Sequence, residues 1–411
     1  MIETSLGAVA YINPSSVGNN YSYKEIDYID ISSVGSGVLM GTTHYHISNA
    51  PSRAKRLVSH GDTILSTVRP NRRSFLFIKN PRPDMVVSTG FAVLRASDKI
   101  EPRFLYYLVT NQPFTDYLTA NAKGAAYPAV DTEIIGRAKI NLPPLHIQHK
   151  IASILSAYDD LIENNNRRIK ILEEMAQAIY KEWFVNFRFP GHEKVKMVKS
   201  ELGMIPEGWE VRKLATLVET QYGYTETASD EELGPKFLRG TDINKNSFID
   251  WSNVPYCQIP ESKLQNYSLS VGDIVIIRMA DPGKVGIIEK EINAIFASYL
   301  VRLKIKSAQL SPYFLFYFLL SERYQGYITG ASTGTTRKSA SAGVITDVDV
   351  AVPSADLREI FEEKIIVIRK MLNNLLDRNT NLRKTRNLLL PKLISGKIDV
   401  SGLKINDSKT G

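Results

Sequence analysis

Two long stretches of the chain place apolar residues at alternating spacings of three and four, the pattern of a helix with one buried face. The first follows Pro143 and Pro144, and the second follows Pro353. Proline before each stretch ends the preceding strand and favours a helix start, because it fixes φ and has no N–H to donate. The predicted seam of the two helices contains Ile151, Ile154, Leu161, Leu172 and Ile179, then Ile365, Ile368, Leu372, Leu375, Leu382 and Leu389.

Two details of this seam need explanation. The first helix has one additional four-residue step between Asn165 and Ile169, which predicts a stutter in the repeat. Asn165 and Asn379 lie in otherwise apolar seams, where a polar side chain costs stability but can fix the register. Tolerance of Asn165 near the polar run "NNNRR" is an equally valid explanation.

The remaining sequence consists of short apolar and aromatic runs separated by Gly, Pro, Asn and Asp, the pattern of strands and turns. The predicted strands are "DTILSTV", "SFLFI" and "FAVLRA", then "DIVIIRM", "VGIIE" and "YLVRLKI". The runs "RFLYYLVTNQPFTDYLTANA" and "YFLFYFLLSERYQGYITG" have helical spacing, and each predicts one helix. Both globular parts are therefore predicted to be mixed α+β.

The chain is an internal repeat. Pro143 and Pro353 are 353 − 143 = 210 positions apart, and the same offset aligns "EPRFLYYLV" with "SPYFLFYFL". We predict two pseudo-repeated α+β domains, residues 1–143 and 196–353, each followed by a long helix, residues 144–195 and 354–411. A whole domain separates the helices, so they are expected to pair as an antiparallel coiled coil. Homodimerisation through one helix of each chain is the alternative.

Composition narrows the function. The chain has 411 residues, 43% of them hydrophobic, one cysteine (Cys257) and a net charge of +8. The longest apolar run, "YFLFYFLL", is too short to span a bilayer, and a single cysteine fits a reducing cytosol, so we expect a cytoplasmic protein without a membrane partner. The positive charge fits a lysine-rich surface or a site for a polyanion equally well.

Three segments superficially suggest catalysis or metal binding. "VGSGVLMG" is followed by the strand-like "TTHYHIS" and not by a helix, so it predicts a turn. "GASTGTTRKS" lacks the Gly-Lys-Ser/Thr ending of a phosphate loop. His44, His46 and Cys257 do not form a zinc-ligand pattern, so no metal site and no catalytic residue is predicted.

The segments that surround the two helices resemble the DNA sequence-specificity subunit of type I restriction–modification systems. They are "INLPPLHIQHKIASILSAYDDLIENNNRRIKILEEMAQAIYKEWF", "VPSADLREIFEEKI", "ELGMIPEGWEVRKL" and "LRKTRNLLLPKLISGKIDV". The resemblance covers nearly the whole chain, and its globe–helix–globe–helix order is more specific than any one motif.

The resemblance implies that each globular part is a target recognition domain for one half of a bipartite site in double-stranded DNA. The helices would set the spacing and dock two methyltransferase (modification) subunits, which methylate adenine N6. Motor and nuclease (restriction) subunits would complete the complex. No cofactor is then expected in this chain, and S-adenosylmethionine, ATP and Mg are expected on the partners. The alternative is a coiled-coil scaffold whose globular ends bind proteins.

Two loop pairs at equivalent positions of the repeat are candidates for DNA contact, because they combine basic, amide, hydroxyl and tyrosine side chains with small residues. "VRPNRRS" corresponds to "IRMADPGKVG", and "TANAKGAAYPAV" corresponds to "TGASTGTTRKSASAGV". The candidate residues are Arg69, Asn71, Arg72, Arg73, Lys123 and Tyr127 in the first copy, and Arg278, Lys284, Thr335, Arg337 and Lys338 in the second. Ordinary surface loops are the alternative.

The aromatic run "KEWFVNFRF", which contains Trp183, Phe184 and Phe187, is expected to be covered either by the chain's own domain or by a methyltransferase subunit.

Overall fold

A computed structural model describes residues 2–18, 20–124, 127–243, 246–334 and 338–404. The chain forms two compact units. Unit 1 comprises residues 1–163 and 381–411, and unit 2 comprises residues 164–380. Both long helices therefore contribute to both units. Within the described ranges, no helix is both long and apolar enough to cross a bilayer.

The described residues of unit 1 form ten short strands and three short α-helices in addition to its parts of the long helices. The strands are β1 (Ile2–Ser5), β2 (Ala10–Ile12), β3 (Glu25–Ile29), β4 (Thr43–His46), β5 (Ala54–Leu57), β6 (Thr63–Ser66), β7 (Phe75–Phe77), β8 (Met85–Ser88), β9 (Phe91–Ala96) and β10 (Lys139–Leu142). The helices are α1 (Pro102–Thr110), α2 (Gln112–Ala120) and α3 (Thr132–Arg137).

The strands of unit 1 form two four-stranded sheets and one separate pair. One sheet has the order β2-β9-β6-β7 and is antiparallel throughout. The other has the order β4-β3-β8-β5, in which β3 and β8 are parallel. β1 pairs with β10 near the start of the first long helix. Continuous apolar runs such as "FAVL" in β9 are buried on both faces, as expected for central strands.

The predicted helix over residues 103–122 is wrong in one respect, because two helices form and not one. Asn111 has an extended backbone (φ −71°, ψ 163°), and its side chain accepts a hydrogen bond from the Phe114 N–H at 2.8 Å. An asparagine N-cap followed by Pro113 in the first turn starts a new helix. Ser321 breaks the corresponding segment of unit 2 in the same way.

Unit 2, over the residues that the structure describes, has twelve strands and six short α-helices. The strands are β11 (Met197–Ser200), β12 (Gly203–Pro206), β13 (Glu210–Lys213), β14 (Val218–Tyr222), β15 (Lys236–Leu238), β16 (Ile274–Ile277), β17 (Met279–Ala280), β18 (Val285–Ile287), β19 (Ala294–Phe296), β20 (Leu300–Ile305), β21 (Lys338–Ser339) and β22 (Asp349–Val352). The short helices are α5 (Leu214–Leu217), α6 (Gly240–Ile243), α7 (Glu261–Tyr267), α8 (Pro312–Leu320), α9 (Glu322–Ala331) and α10 (Ala342–Thr346).

One four-stranded sheet and one parallel strand pair of unit 1 recur in unit 2, so the predicted repeat is confirmed. The sheet β14-β20-β16-β18 corresponds to β2-β9-β6-β7, and the parallel pair β15–β19 corresponds to β3–β8. Single contacts also recur. The buried carboxylates Asp62 and Asp273 accept the N–H of Ser59 (2.7 Å) and Ser270 (2.9 Å), and each pairs with an arginine. The repeat therefore extends to individual hydrogen bonds.

The two long helices run antiparallel where they meet inside each unit. The first, α4, covers Leu145–Tyr180 and continues as a π-helical turn over Lys181–Val185. The last helix, here α11, covers Ala355–Ile394. In unit 1 Asp159 bonds Arg386, and in unit 2 Asn165 bonds Asn379. Intramolecular pairing, and not the homodimeric alternative, therefore buries the seam.

The structure corrects the predicted seam at Leu161. Leu161 is 53% exposed, whereas Ile162 is buried. Buried residues recur every seven positions along α4, at Leu155, Ile162, Ile169, Ala176 and Trp183, so the predicted stutter is wrong. Leu161 and Ile162 are adjacent and both apolar, so the sequence allowed either of them in the seam. The structure places Ile162 there, which keeps the seven-residue repeat unbroken. The other seam residues agree with the prediction: Ile151, Ile365, Ile368, Leu372 and Leu375 are buried, and Ile154, Leu172, Ile179, Leu382 and Leu389 are half-buried.

Asn165 and Asn379 form a buried hydrogen bond in unit 2. The Asn165 amide donates to Asn379 Oδ1 at 2.8 Å, and the Asn379 amide donates to Asn166 Oδ1 at 2.8 Å. The NH2 groups of both side chains therefore have acceptors, and a one-residue slip would remove these buried hydrogen bonds. The pair therefore fixes the register, which is one of the two explanations that the sequence left open.

The aromatic run at the end of α4 is covered by its own unit. Trp183 and Phe184 are buried, and the Phe184 ring lies 4.9 Å from Phe314 and 4.8 Å from Phe361, both edge-on. The Phe187 ring contacts Trp209 at 5.4 Å. Of the two expected covers for these rings, the domain is therefore the one observed.

Candidate nucleic-acid interface

The two candidate loops of unit 1 lie side by side. The Val130 N–H donates to the Thr67 carbonyl at 2.9 Å, and the Arg69 N–H donates to the Pro128 carbonyl at 2.7 Å. Lys123 and Ala129 bond each other in both directions (2.8 and 2.9 Å) and close a small hairpin. Residues separated by more than fifty positions in the sequence thus form one surface.

Unit 2 joins its loops with the same backbone contacts. The Ala340 N–H donates to the Arg278 carbonyl at 2.8 Å, and Thr333 and Ser339 close the hairpin at 2.9 and 2.8 Å. Gly124 and Gly334 occupy corresponding hairpin positions with φ of +101° and +102°, a conformation that strongly favours glycine. These backbone hydrogen bonds, here called the frame of the paired loops, are therefore common to both units.

In unit 1 the predicted residues divide into an outer and an inner group. Asn71 and Arg72 are exposed on a single 3-10 turn, Pro70–Arg72. The Arg69 guanidinium lies 4.7 Å from the centre of the Tyr127 ring, and that ring is 71% exposed. The Lys123 ammonium is exposed and lies 4.0 Å from an equally exposed Asp131 carboxylate, a pair of little energetic value.

Arg73 belongs to the inner group, because its guanidinium is held inside unit 1, and its role as a DNA contact stays a prediction. Its guanidinium donates to Gln112 Oε1 (2.6 Å), Thr115 Oγ1 (3.2 Å) and the Thr110 carbonyl (2.7 Å). The backbone of Arg73 is left-handed, with φ of +56°. Burial lowers the pKa of Arg73, and the charge of Asp116 acts in the opposite direction. This arginine joins the loop to α1 and α2.

In unit 2 the structure places three of the five predicted residues. Lys284 and Lys338 are exposed, and Lys338 pairs with Ala280 in the short ladder between β17 and β21. Arg278 is half-buried with its guanidinium 4.9 Å from the centre of the Tyr222 ring. Thr335 and Arg337 lie outside the described residues.

Tyr222 was missed by the sequence reasoning. It lies on β14, is 44% exposed, and its hydroxyl accepts the Ala342 N–H at 3.0 Å. The contact between the Arg278 guanidinium and the Tyr222 ring resembles the contact between Arg69 and Tyr127 in unit 1. In unit 2 the ring comes from a strand, whereas in unit 1 it comes from the hairpin. No local pattern marks a strand tyrosine as the partner of a loop arginine, so only the fold reveals this pair.

The segments that suggested catalysis or metal binding take the predicted structures where they are described. Val34 and Leu39 form an isolated bridge, and the Gly35 N–H donates to the Val38 carbonyl at 2.9 Å, which makes "VGSGVLMG" a tight turn. His44 bonds Asp27 at 3.1 Å and lies 3.0 Å from Glu25. Over the described ranges, no group of three or more His, Cys, Asp or Glu side chains could hold a metal ion.

Cys257 is buried, and burial, together with the charge of Glu226, raises the pKa of its thiol to about 11. A thiol with such a pKa stays protonated at neutral pH and is a poor nucleophile.

The fold and the loops define a protein of two repeated α+β units, each with a basic and aromatic loop pair. The type I restriction modification DNA specificity domain family matches residues 7–174 and residues 206–390 of this chain. The two matched segments cover most of both repeats and of both long helices. The chain therefore belongs to the family of DNA specificity subunits of type I restriction–modification systems.

Individual relatives agree with this assignment. The chain is 23% identical to the HindI specificity subunit of Haemophilus influenzae over 92% of its own length and 95% of that protein. It is 30% identical to the MjaVIII specificity subunit of Methanocaldococcus jannaschii over 77% of its own length and 75% of that protein. The crystal structure of a type I restriction–modification S subunit from M. genitalium has the same fold, with a TM-score of 0.54, 13% identity and 95% coverage of both chains.

Proposed function

We propose that each unit of this chain reads one half of a split DNA site through its paired loops. In this proposal the recognition domains are residues 1–143 and 196–353, and the long helices fix the number of base pairs between the half sites. The observation that carries the proposal is the common frame of the loops, which have the same backbone contacts in both units and different side chains. A constant frame with variable side chains suits a protein that reads two different short sequences.

The exposed side chains suit contact with DNA. Arg72, Lys284 and Lys338 are exposed cations, and Asn71 carries an amide that can pair with adenine. Arginine pairs with guanine in the major groove, and lysine contacts phosphate, so the loops offer both base and backbone contacts. The net charge of +8 supports association with a polyanion.

The catalytic steps would belong to other subunits. We infer that the helices dock two methyltransferase subunits, which would methylate adenine N6 with S-adenosylmethionine, and that a motor and nuclease subunit would use ATP and Mg. This chain would then supply binding and geometry and no bond chemistry. Family membership supports the inference.

The test is to express the chain with its neighbouring methyltransferase subunit in a methylation-free host and to map N6-methyladenine across the genome. We expect modification at one split motif. Arg72→Met is then expected to change or weaken recognition of one half site, and Lys284→Met that of the other. A stable complex without any motif would refute DNA reading and favour the scaffold, whereas failure to form a complex would refute docking.

A further inference from the structure

In both units an ion pair joins a long helix to the loop after an edge strand, which is β7 of the sheet β2-β9-β6-β7 in unit 1 and β18 of the sheet β14-β20-β16-β18 in unit 2. The loop residue is a cation in unit 1 and an anion in unit 2. In unit 1 the loop after β7 carries Lys79, whose ammonium lies 3.0 Å from Asp160 Oδ1 and 2.7 Å from Glu163 Oε2 on α4. In unit 2 the loop after β18 carries Glu289, at the repeat offset of 289 − 79 = 210. Glu289 accepts two hydrogen bonds from Arg369 of α11, at 2.7 and 2.6 Å.

The ion pairs of the two units differ in how far their side chains are buried. In unit 1 the side chains of Lys79, Asp160 and Glu163 are 36%, 51% and 43% exposed. In unit 2 the side chain of Arg369 is 0% exposed and that of Glu289 is 7% exposed. A lysine is a point charge on a long stem, and salt screens it at the surface. An arginine that donates two hydrogen bonds to one carboxylate, here called a fork, fixes both the distance and the angle between the two groups. Burial protects this pair from screening by salt.

Arg369 also connects further parts of unit 2. Its guanidinium donates to the Ser247 carbonyl at 3.2 Å and to Ser247 Oγ at 3.3 Å, and it lies 3.8 Å from Glu173 of α4. Glu289 accepts a further hydrogen bond from the Tyr313 hydroxyl at 2.9 Å. One side chain thus holds both long helices against two separate segments of the globular part.

The electrostatics keep Arg369 charged. Burial alone would lower the pKa of Arg369, but the hydrogen bonds and the charge of Glu289 outweigh burial and raise it. Burial raises the pKa of Glu173, and Arg369 opposes that increase. A fully buried arginine is costly to desolvate, and replacing such a pair by apolar side chains is often neutral or stabilising. Stability alone is therefore a weak explanation for it.

We propose that Arg369 is a positioning residue, whose fork on Glu289 fixes the angle of the second globular part on α11 and so restricts the spacing between half sites that the protein accepts. The inference rests on the proposed function. One extra base pair moves a half site by about 3.4 Å and rotates it by about 34–36° around the DNA axis. A recognition domain held at one angle cannot follow that rotation, whereas one that turns on its helix can.

The experiment compares the genome-wide methylation maps of complexes that contain wild-type or variant full-length chains. Arg369→Lys keeps the charge and loses the fork. Arg369→Met combined with Glu289→Gln removes the ion pair and leaves an acceptor for Tyr313. The matched control is Lys290→Met with Asp377→Asn, because that exposed pair joins the same loop to the same helix at 2.9 Å. Thermal unfolding of every complex establishes that the variants are folded.

We expect the two Arg369 variants to methylate sites whose spacer is one base pair longer or shorter, with the bases of both half sites unchanged. Relative to the wild type, off-spacing methylation should rise by on the order of tenfold, equivalent to ~1.4 kcal/mol. The control should keep a single spacing. An unchanged spacing in folded Arg369 variants, or altered half-site bases, would overturn this inference alone. Absence of any split motif with the wild-type chain would overturn the proposed function and this inference with it.

Discussion

Two adjacent arginines should have opposite roles, and this can be tested by replacing each with methionine. Both substitutions remove one positive charge and keep a long side chain. Arg73→Met removes three hydrogen bonds that tie the loop to α1 and α2, whereas Arg72 is exposed on the outer turn. We expect Arg73→Met to destabilise unit 1 and Arg72→Met to weaken DNA binding.

The size of each effect follows from the contacts. A buried hydrogen bond from a charged donor contributes about 1.5–3 kcal/mol, but Arg73 is only half-buried, so three such bonds together should contribute roughly 2 kcal/mol. For a unit of this size that loss lowers Tm by about 4–8 °C. If Arg72 contacts one phosphate, the slope of log affinity against log salt falls by about 0.9; if it contacts guanine, discrimination falls by ~1–3 kcal/mol.

The assay is thermal unfolding of both variants together with DNA titrations at several salt concentrations, using the chain in complex with its methyltransferase subunit. Arg72→Met should retain the wild-type Tm. Equal losses of Tm, or a loss of DNA binding in Arg73→Met at an unchanged Tm, would show that the division between outer and inner arginines is wrong.

Three further results are expected. In a double-mutant cycle measured by urea unfolding, Asn165→Leu and Asn379→Leu should each destabilise unit 2 by about 1–3 kcal/mol, while the double variant recovers much of that loss; additive effects would contradict the buried pair. Burial raises the pKa of Glu362, and the hydrogen bonds that its carboxylate accepts oppose this increase. Because the folded pKa is above the unfolded one, the contribution of Glu362 to stability is present at low pH and is lost as the pH rises through the folded pKa. Glu362→Gln should therefore gain stability over the wild type between pH 4 and pH 7, and a constant difference would refute this. Asn111→Ala should lower the stability of unit 1 by about 1 kcal/mol in thermal unfolding through loss of the helix cap, whereas Asn111→Ser should retain most of it.

The larger elements could be predicted because each depends on many positions of the sequence. The long helices follow from apolar spacing over some forty residues, and the repeat follows from an offset that stays at 210 or 211 positions. β9 was predicted at its observed bounds, Phe91–Ala96, because a central strand is a continuous apolar run. The break at Asn111 was missed because helical spacing continues through it, and a single side-chain cap decides the boundary.

The candidate site was less predictable because it depends on side-chain direction. "NRRS" presents two identical arginines, and only the hydrogen bonds to α1 and α2 show that Arg73 is the inner one. Leu161 and Ile162 are similarly equivalent in sequence, and only the folded chain shows that Ile162 is the buried one. The ring under Arg278 comes from Tyr222, 56 positions earlier (278 − 222), a distance that no local pattern spans.

The backbone contacts that close the two hairpins have a consequence for how such proteins change their targets. Main-chain hydrogen bonds run in both directions between Lys123 and Ala129 and between Thr333 and Ser339, and a glycine at each hairpin supplies the required φ. Main-chain hydrogen bonds do not depend on which side chains the residues carry. Substitutions between the hydrogen-bonded residues of each hairpin are therefore expected to leave the frame intact. In the proposed function, new sequence preferences would therefore arise by exchange of a few loop residues, and the preference for one half site could change while the other stays the same.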